Sequence, residues 1–337
     1  MNDIFELKVP SSSLPRTRVM DVTLRDGGFR TAFRWTLEEM VSVVRGASEG
    51  GADAVELGYV GGVPDLHNVG DTGPAANLKI ETIDYIRSQS NCKLAAMVHP
   101  SAVKEGIDFR GYKTAGLDIV RLIYNRAWED AFGRLIHTAA DAGLLTCANI
   151  ALVSRYPRDD FARALEYLSG QGPHVVYLAD TCAGLLPTDI PALVRLVRSV
   201  APTGFHGHDF LSLALANSMV AAKEGAEWID ASICGIGRGA GNLRLELWLA
   251  LLARQDRTSN FGALTDAIEL IEVKIETPIH PDLLSLAAGA LNLSPPQEDQ
   301  LRLLSRDLRW SSTRTAAYLF DNFRRGSTIA SIFDAAG

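Results

Sequence analysis

The chain has 337 residues, 47% of them hydrophobic and 22% charged, and its 33 basic and 40 acidic side chains give a formal net charge of −7. That length suits one large α/β domain with an appendage or two modest domains. The acidic balance argues against broad nucleic-acid binding, because no basic excess exists to neutralise phosphates, and no apolar run suggests a membrane span or a signal peptide.

Residues 1–17 mix Ser and Pro and read as a loose N-terminal arm. Short apolar runs rich in Val, Ile and Leu then alternate with amphipathic segments. Strands are predicted at 18–24, 54–59, 93–99, 118–124, 144–152, 175–180, 204–209 and 228–235. Helices are predicted near 36–49, 79–88, 128–141, 159–169, 187–200, 211–224 and 242–254. Between 99 and 118 only 101–107 leaves room for one. Glycine-containing turns at 49–53, 142–143 and 224–226 sit where helix C-caps belong.

Eight strand–helix units of about thirty residues each predict an α/β fold, a (β/α)8 TIM barrel over 18–258, rather than an open doubly wound sheet. The first strand runs into Arg25-Asp26-Gly27-Gly28, which lacks the spacing of a Gly-rich phosphate turn. Past about residue 260 the strand rhythm stops. Residues 259–337, with turn signals at Thr277-Pro278 and Ser294-Pro295-Pro296, read as a small C-terminal helical region. Cys92, Cys147, Cys182 and Cys234 have no C-x-x-C spacing, so reduced thiols in a cytoplasmic protein are expected.

Active sites in this fold gather at the carboxyl ends of the strands. In Gly204-Phe205-His206-Gly207-His208-Asp209, alternation along a strand turns His206 and His208 to one face. Asp26 ends the first strand, separated from the seventh only by the eighth. Together the three could hold one divalent cation and leave open positions on it. The plainer readings are histidines hydrogen-bonded at a sheet edge and a turn-capping aspartate. Arg25 suits a carboxylate or an enolate oxygen, or else pairs with Glu56. Asn149 lies near the end of the fifth strand. Asp180 and Thr181 either support the site or form a strand-to-helix turn. The run from Gly235 to Asn242, with Gly237 and Arg238, is either a flexible loop or a place where backbone N–H groups approach an anion. His67 and His99 read as structural.

Three motifs in order carry a family resemblance. Asp21-Val22-Thr23-Leu24-Arg25-Asp26-Gly27 resembles the first-strand signature of the DRE-TIM metallolyase superfamily, which includes HMG-CoA lyase, the isopropylmalate and homocitrate synthases, and the 4-hydroxy-2-oxovalerate aldolases. His206-Gly207-His208-Asp209 with Leu213–Asn217, and Ile229-Asp230-Ala231-Ser232 with 235–242 and Glu246, are similar to its later motifs. The resemblance implies metal ligands at Asp26, His206 and His208, sometimes with Asn242 nearby, and a catalytic arginine at Arg25. The expected cofactor is a divalent cation, Mn2+ or Mg2+ ahead of Zn2+, and the expected substrate contacts are the groups at the strand ends: Glu56, Asn149, Asp180, Thr181, Gly237, Arg238 and Asn242.

Gly27-Gly28-Phe29 looks closest to relatives of the aldolases. The Claisen-type synthases carry Gly-Glu-Gln after the aspartate and a histidine-bearing C-terminal segment that His280 does not match. HMG-CoA lyases place a cysteine inside the eighth-strand loop, whereas Cys234 precedes it. The aldolases have a histidine base where Phe29 stands, which leaves the proton-transfer residue unassigned. The expected activity is carbon–carbon bond cleavage or formation beside a small 2-oxo acid. An acyl-CoA:2-oxo acid acyltransferase and a non-catalytic barrel that binds a partner protein are the alternatives. No nucleic-acid or membrane partner is expected, and homo-oligomerisation stays open.

Overall fold

The computed structural model describes residues 14–64, 71–103, 106–254, 259–275, 281–322 and 328–333. Most of the expected arm, His67, the Thr277-Pro278 turn and His280 lie outside the described residues. Eight strands close into one parallel barrel in chain order: β1 (Arg18–Asp21), β2 (Ala54–Tyr59), β3 (Lys93–Val98), β4 (Ile119–Tyr124), β5 (Leu145–Ile150), β6 (Val175–Asp180), β7 (Thr203–Gly207) and β8 (Trp228–Ala231). β8 pairs with both β7 and β1, so the ends of β1 and β7 flank it.

The alternation of side chains across each strand builds the interior in layers. Ala54, Ile119 and Trp228 belong to an apolar plug. Two residues further along the same strands, Glu56, Arg121 and Asp230 stand on the same face and are all buried. The opposite faces carry residues such as Val55, Val120 and Ile229 into the larger core beneath the helices.

Eight helices surround the strands: α1 (Leu37–Gly50), α2 (Ile80–Gln89), α3 (Phe109–Thr114), α4 (Glu129–Asp141), α5 (Arg158–Gln171), α6 (Ile190–Arg198), α7 (Ala214–Lys223) and α8 (Leu245–Ala253). α1 shows why such segments form. Thr36 and Glu39 close a reciprocal capping box, Met40, Val43, Val44 and Ala47 make one buried stripe, and Gly51 takes φ 127° just past the end.

The helix expected at 101–107 is placed differently. Pro100–Ala102 is a single 3-10 turn, and the helix is α3, because Asp108 caps it by accepting from the Gly111 N–H at 3.1 Å and Phe109 anchors it in the core. The first strand also stops earlier than 24. Asp21 accepts hydrogen bonds from Thr23 N at 3.2 Å and Thr23 Oγ1 at 2.7 Å, which turns the chain into a helical turn at Thr23–Asp26. β8 likewise gives way to a 3-10 turn at Ile233–Gly235.

Helices α9 (Thr265–Lys274), α10 (Leu283–Ala290), α11 (Pro295–Asp307), α12 (Ser312–Asn322) and α13 (Ile329–Phe333) follow. Ala267 and Ile271 of α9 join the barrel's outer core, whereas Leu284, Leu301, Ala316 and Leu319 form a separate cluster. That cluster sits over the mouth. Ala288 packs with Ala183, Phe210 and Ala240 from the loops after β6, β7 and β8. Ser154 Oγ donates to Asn292 Oδ1 at 2.7 Å, and Asn292 Nδ2 returns a bond to the Ser154 carbonyl at 3.0 Å. Among the described residues no helix is long and apolar enough to cross a membrane, and the four cysteines are free thiols.

Candidate active site

Three local devices bring the ligand-type side chains together. The helical turn after β1 lifts Arg25 and Asp26 to the mouth. β7 presents His206, and His208 follows just past its end with the rings 4.9 Å apart. The loop after β8 folds back so that Asn242 bridges to His208 and its Nδ2 donates to Asp26 Oδ2 at 2.8 Å. Gly237 permits this approach, since a Cβ there would lie 2.4 Å from Asn242 Nδ2 and 2.7 Å from Asp26 Oδ2.

Asp26, His206 and His208 offer one ligand atom each, all within 4.8 Å of one another, and among the described residues no other group of three such side chains forms. All three are buried. Burial would raise the Asp26 pKa, but Arg25 and both histidines outweigh it and hold the carboxyl well below its usual range. Burial pushes His208 down to about 4 against the opposing pull of Asp26, so its imidazole is neutral at pH 7. His206 Nδ1 lies 3.0 Å from Asp230 Oδ2. An ionised carboxylate only accepts, so Nδ1 carries the hydrogen and Nε2 is the ring nitrogen turned toward His208.

The two Nε2 atoms stand 3.2 Å apart. Ligands of one cation with bonds of about 2.0–2.1 Å can keep that separation. His208 Nδ1 and Asn242 Oδ1 are buried without a hydrogen-bond partner. An ionised carboxylate, imidazole nitrogens and an orphaned amide oxygen form a donor set that a divalent cation can satisfy.

Arg25 donates through Nε to Glu56 Oε2 at 2.7 Å and through Nη1 to Asp26 Oδ1 at 2.6 Å, so it is paired with Glu56 and turned toward the mouth at once. Asn149 is buried on β5 with its amide oxygen unpartnered. Asp180 accepts from the N–H groups of Gly184 and Leu185, both at 3.1 Å, and burial raises its pKa to about 6 despite them. Thr181 Oγ1 accepts from Leu152 N at 3.0 Å. These two side chains therefore hold loops. Arg238 reaches Asp26 Oδ2 only with its backbone N–H, at 3.4 Å, while its guanidinium goes to Asp299 and lies 5.4 Å over the Phe29 ring. His99 bonds Ser101 and packs edge-on against Trp128.

Of the charged residues beneath the site, Arg121 escaped the sequence reading and Asp230 entered it only as part of the eighth-strand motif, without a role. Arg121 and Asp230 each interrupt an apolar strand, Ile-Val-Arg-Leu-Ile-Tyr and Trp-Ile-Asp-Ala. A lone charge inside a buried strand is the signal that could have found them.

A family model described as HMGL-like matches residues 16–273. The 4-hydroxy-2-oxovalerate aldolase of Thermus thermophilus is 29% identical over 283 residues, 80% of this chain and 79% of its own length. The oxaloacetate decarboxylase of Mycobacterium tuberculosis is 30% identical over 241 residues, 70% of each chain. The crystal structure of the Bacillus subtilis HMG-CoA lyase shares the fold, with a TM-score of 0.66 and 20% identity over 80% of this chain and 97% of that one.

Proposed function

The chain belongs to the HMGL-like family, and from that premise we propose that its barrel mouth is the centre of a divalent-metal-dependent carbon–carbon lyase acting on 2-oxo acids. Asp26, His206 and His208 are the metal ligands in this reading, and Asn242 Oδ1 is a fourth donor. The observation that carries it is the meeting of a carboxylate and two imidazoles from distant parts of the chain within 4.8 Å. The oxygen donors favour Mn2+ or Mg2+, and the imidazoles keep Zn2+ as an alternative.

A cation held there supplies Lewis acidity toward the oxygens of a 2-oxo acid. The protein's own groups do the rest. Glu56 and Asp26 engage two of the five N–H donors of Arg25 and fix the plane of its guanidinium. The remaining donors are thereby preorganised to meet an enolate oxygen as charge develops on it. Asn149 and the backbone at Gly237 and Arg238 are suited to the substrate carboxylate. Asp180 and Thr181 act through the loops they hold.

Elemental analysis of protein purified without chelator tests the metal assignment. The expectation is close to one divalent cation per chain, with most of it missing from His208→Ala. Equal metal content in the two proteins refutes the assignment. Metal-dependent release of pyruvate from a 4-hydroxy-2-oxo acid tests the cleavage.

Phe29 favours a second reading. Its ring packs edge-on against Phe33 and Tyr59, with centroids 5.1 and 6.3 Å away, at the position where the resemblance would put a histidine. Phenyl cannot take the hydroxyl proton that aldol cleavage releases. Loss of CO2 from a 3-carboxy-2-oxo acid leaves the same enolate with no such proton to remove, and the Mycobacterium tuberculosis relative bears the name of that reaction. Faster pyruvate formation from oxaloacetate than from 4-hydroxy-2-oxo acids supports this reading. Thiol release from acetyl-CoA on addition of a 2-oxo acid would assign the acyltransferase instead.

A further inference from the structure

Directly under the proposed ligands runs a chain of buried ionic contacts, of which Arg121 and Asp230 have no part in the steps above. Arg121, fully buried on β4, reaches two carboxylates with its two terminal nitrogens. Nη1 donates to Glu56 Oε2 at 3.1 Å and Nη2 to Asp230 Oδ2 at 2.5 Å. That Asp230 oxygen also accepts from His206 Nδ1 at 3.0 Å, and that Glu56 oxygen from Arg25 Nε at 2.7 Å. The Arg121 guanidinium lies 4.2 Å over the Tyr177 ring, which further fixes its plane. Buried ion clusters are often no more stabilising than apolar packing of the same volume, so stability alone does not explain this one. Its geometry does more, because Arg121 links the residue that orients one histidine to the residue that orients Arg25.

We propose that Asp230 and Arg121 are positioning residues: Asp230 fixes His206 with Nε2 turned toward the cation, and Arg121 locks that orientation to the Glu56–Arg25 pair. The inference rests on the metal-site reading above. A carboxylate behind a ligating imidazole sets its tautomer and raises its basicity. Only a planar fork can serve two carboxylates with separate nitrogens, so lysine is not equivalent at position 121.

The test is titration of Mn2+ into chelator-stripped full-length protein, followed by the electron paramagnetic resonance signal of the free ion. Circular dichroism and thermal melts identify the folded variants. Asp230→Asn is expected to weaken Mn2+ binding about 10–100-fold. Co2+-saturated Asp230→Asn should also show a shifted visible absorption spectrum, which a purely structural role would not produce. Arg121→Lys is expected to weaken binding and to lower kcat at saturating metal, since it disturbs both His206 and Arg25. It serves as the independent probe if Asp230→Asn does not fold. His208→Ala separates the two levels. If it abolishes binding while Asp230→Asn and Arg121→Lys keep wild-type affinity and spectrum, the positioning role is overturned and the metal site stands. If His208→Ala binds as the wild type does, the metal-site reading itself falls.

Discussion

Gly237→Ala isolates how closely the loop after β8 must approach Asp26. The φ of Gly237 is not positive, so alanine meets no backbone strain there and the effect is steric. Its methyl would sit 2.4 Å from Asn242 Nδ2 and 2.7 Å from Asp26 Oδ2, where ordinary contact begins at 3.4 Å. Relief requires the loop and the Asp26–Asn242 pair to part by roughly 1 Å, a displacement that can cost about 10²-fold in rate at an active site. Crowding of this kind also destabilises by about 1–3 kcal/mol. The assays are Mn2+ affinity and lyase rate at saturating metal. The expectation is weaker binding and a rate down about 100-fold. Gly170→Ala on α5 is the control: nothing lies within 4 Å of its added methyl. It should leave activity unchanged and raise stability by about 0.4–1 kcal/mol. Wild-type affinity and rate in Gly237→Ala would show that this loop does not hold the carboxylate in place.

Arg25→Lys should fold normally and lose on the order of 10²–10³ in kcat, because an ammonium keeps the charge without the fork; near-normal turnover would reduce Arg25 to an ion pair with Glu56. In the metal-free protein His208 titrates at about 4, below the unfolded value of about 6.5, because burial disfavours its charged form. Its contribution, about 3 kcal/mol in full, is present above pH 6.5 and is lost as the pH falls through about 4. Urea unfolding of the wild type should therefore weaken more steeply than that of His208→Gln between pH 7 and 4, and parallel profiles would contradict the assignment. Asn292→Ala removes the reciprocal pair with Ser154 and places alanine at φ 51°. About 1–3 kcal/mol should be lost, with faster amide exchange in α10 and α11; unchanged exchange would mean that these helices dock by other contacts.

Local pattern was enough for much of this protein. Short apolar runs alternating with amphipathic segments located the strands of the barrel, because a strand buried on both faces and a helix with one apolar stripe look different in the chain itself. A strand's period of two put His206 and His208 on one face, and the barrel rule put Asp26 at the same rim. Where a side chain competes with the backbone, pattern failed by a few residues. Asp21 ends β1 early through its bonds to Thr23, and Asp108 starts α3 later than apolar spacing suggested. Strand alternation says which way Arg121 and Asp230 point, but not that each will meet a partner across the barrel. Arg121 and Glu56 lie 65 positions apart and Arg121 and Asp230 lie 109 apart, so their pairing exists only once the sheet closes. The seating of the C-terminal helices over the mouth belongs to the same class. Ser154 and Asn292 are ordinary polar residues 138 positions apart, and only the packed fold gives each the other as its hydrogen-bond partner.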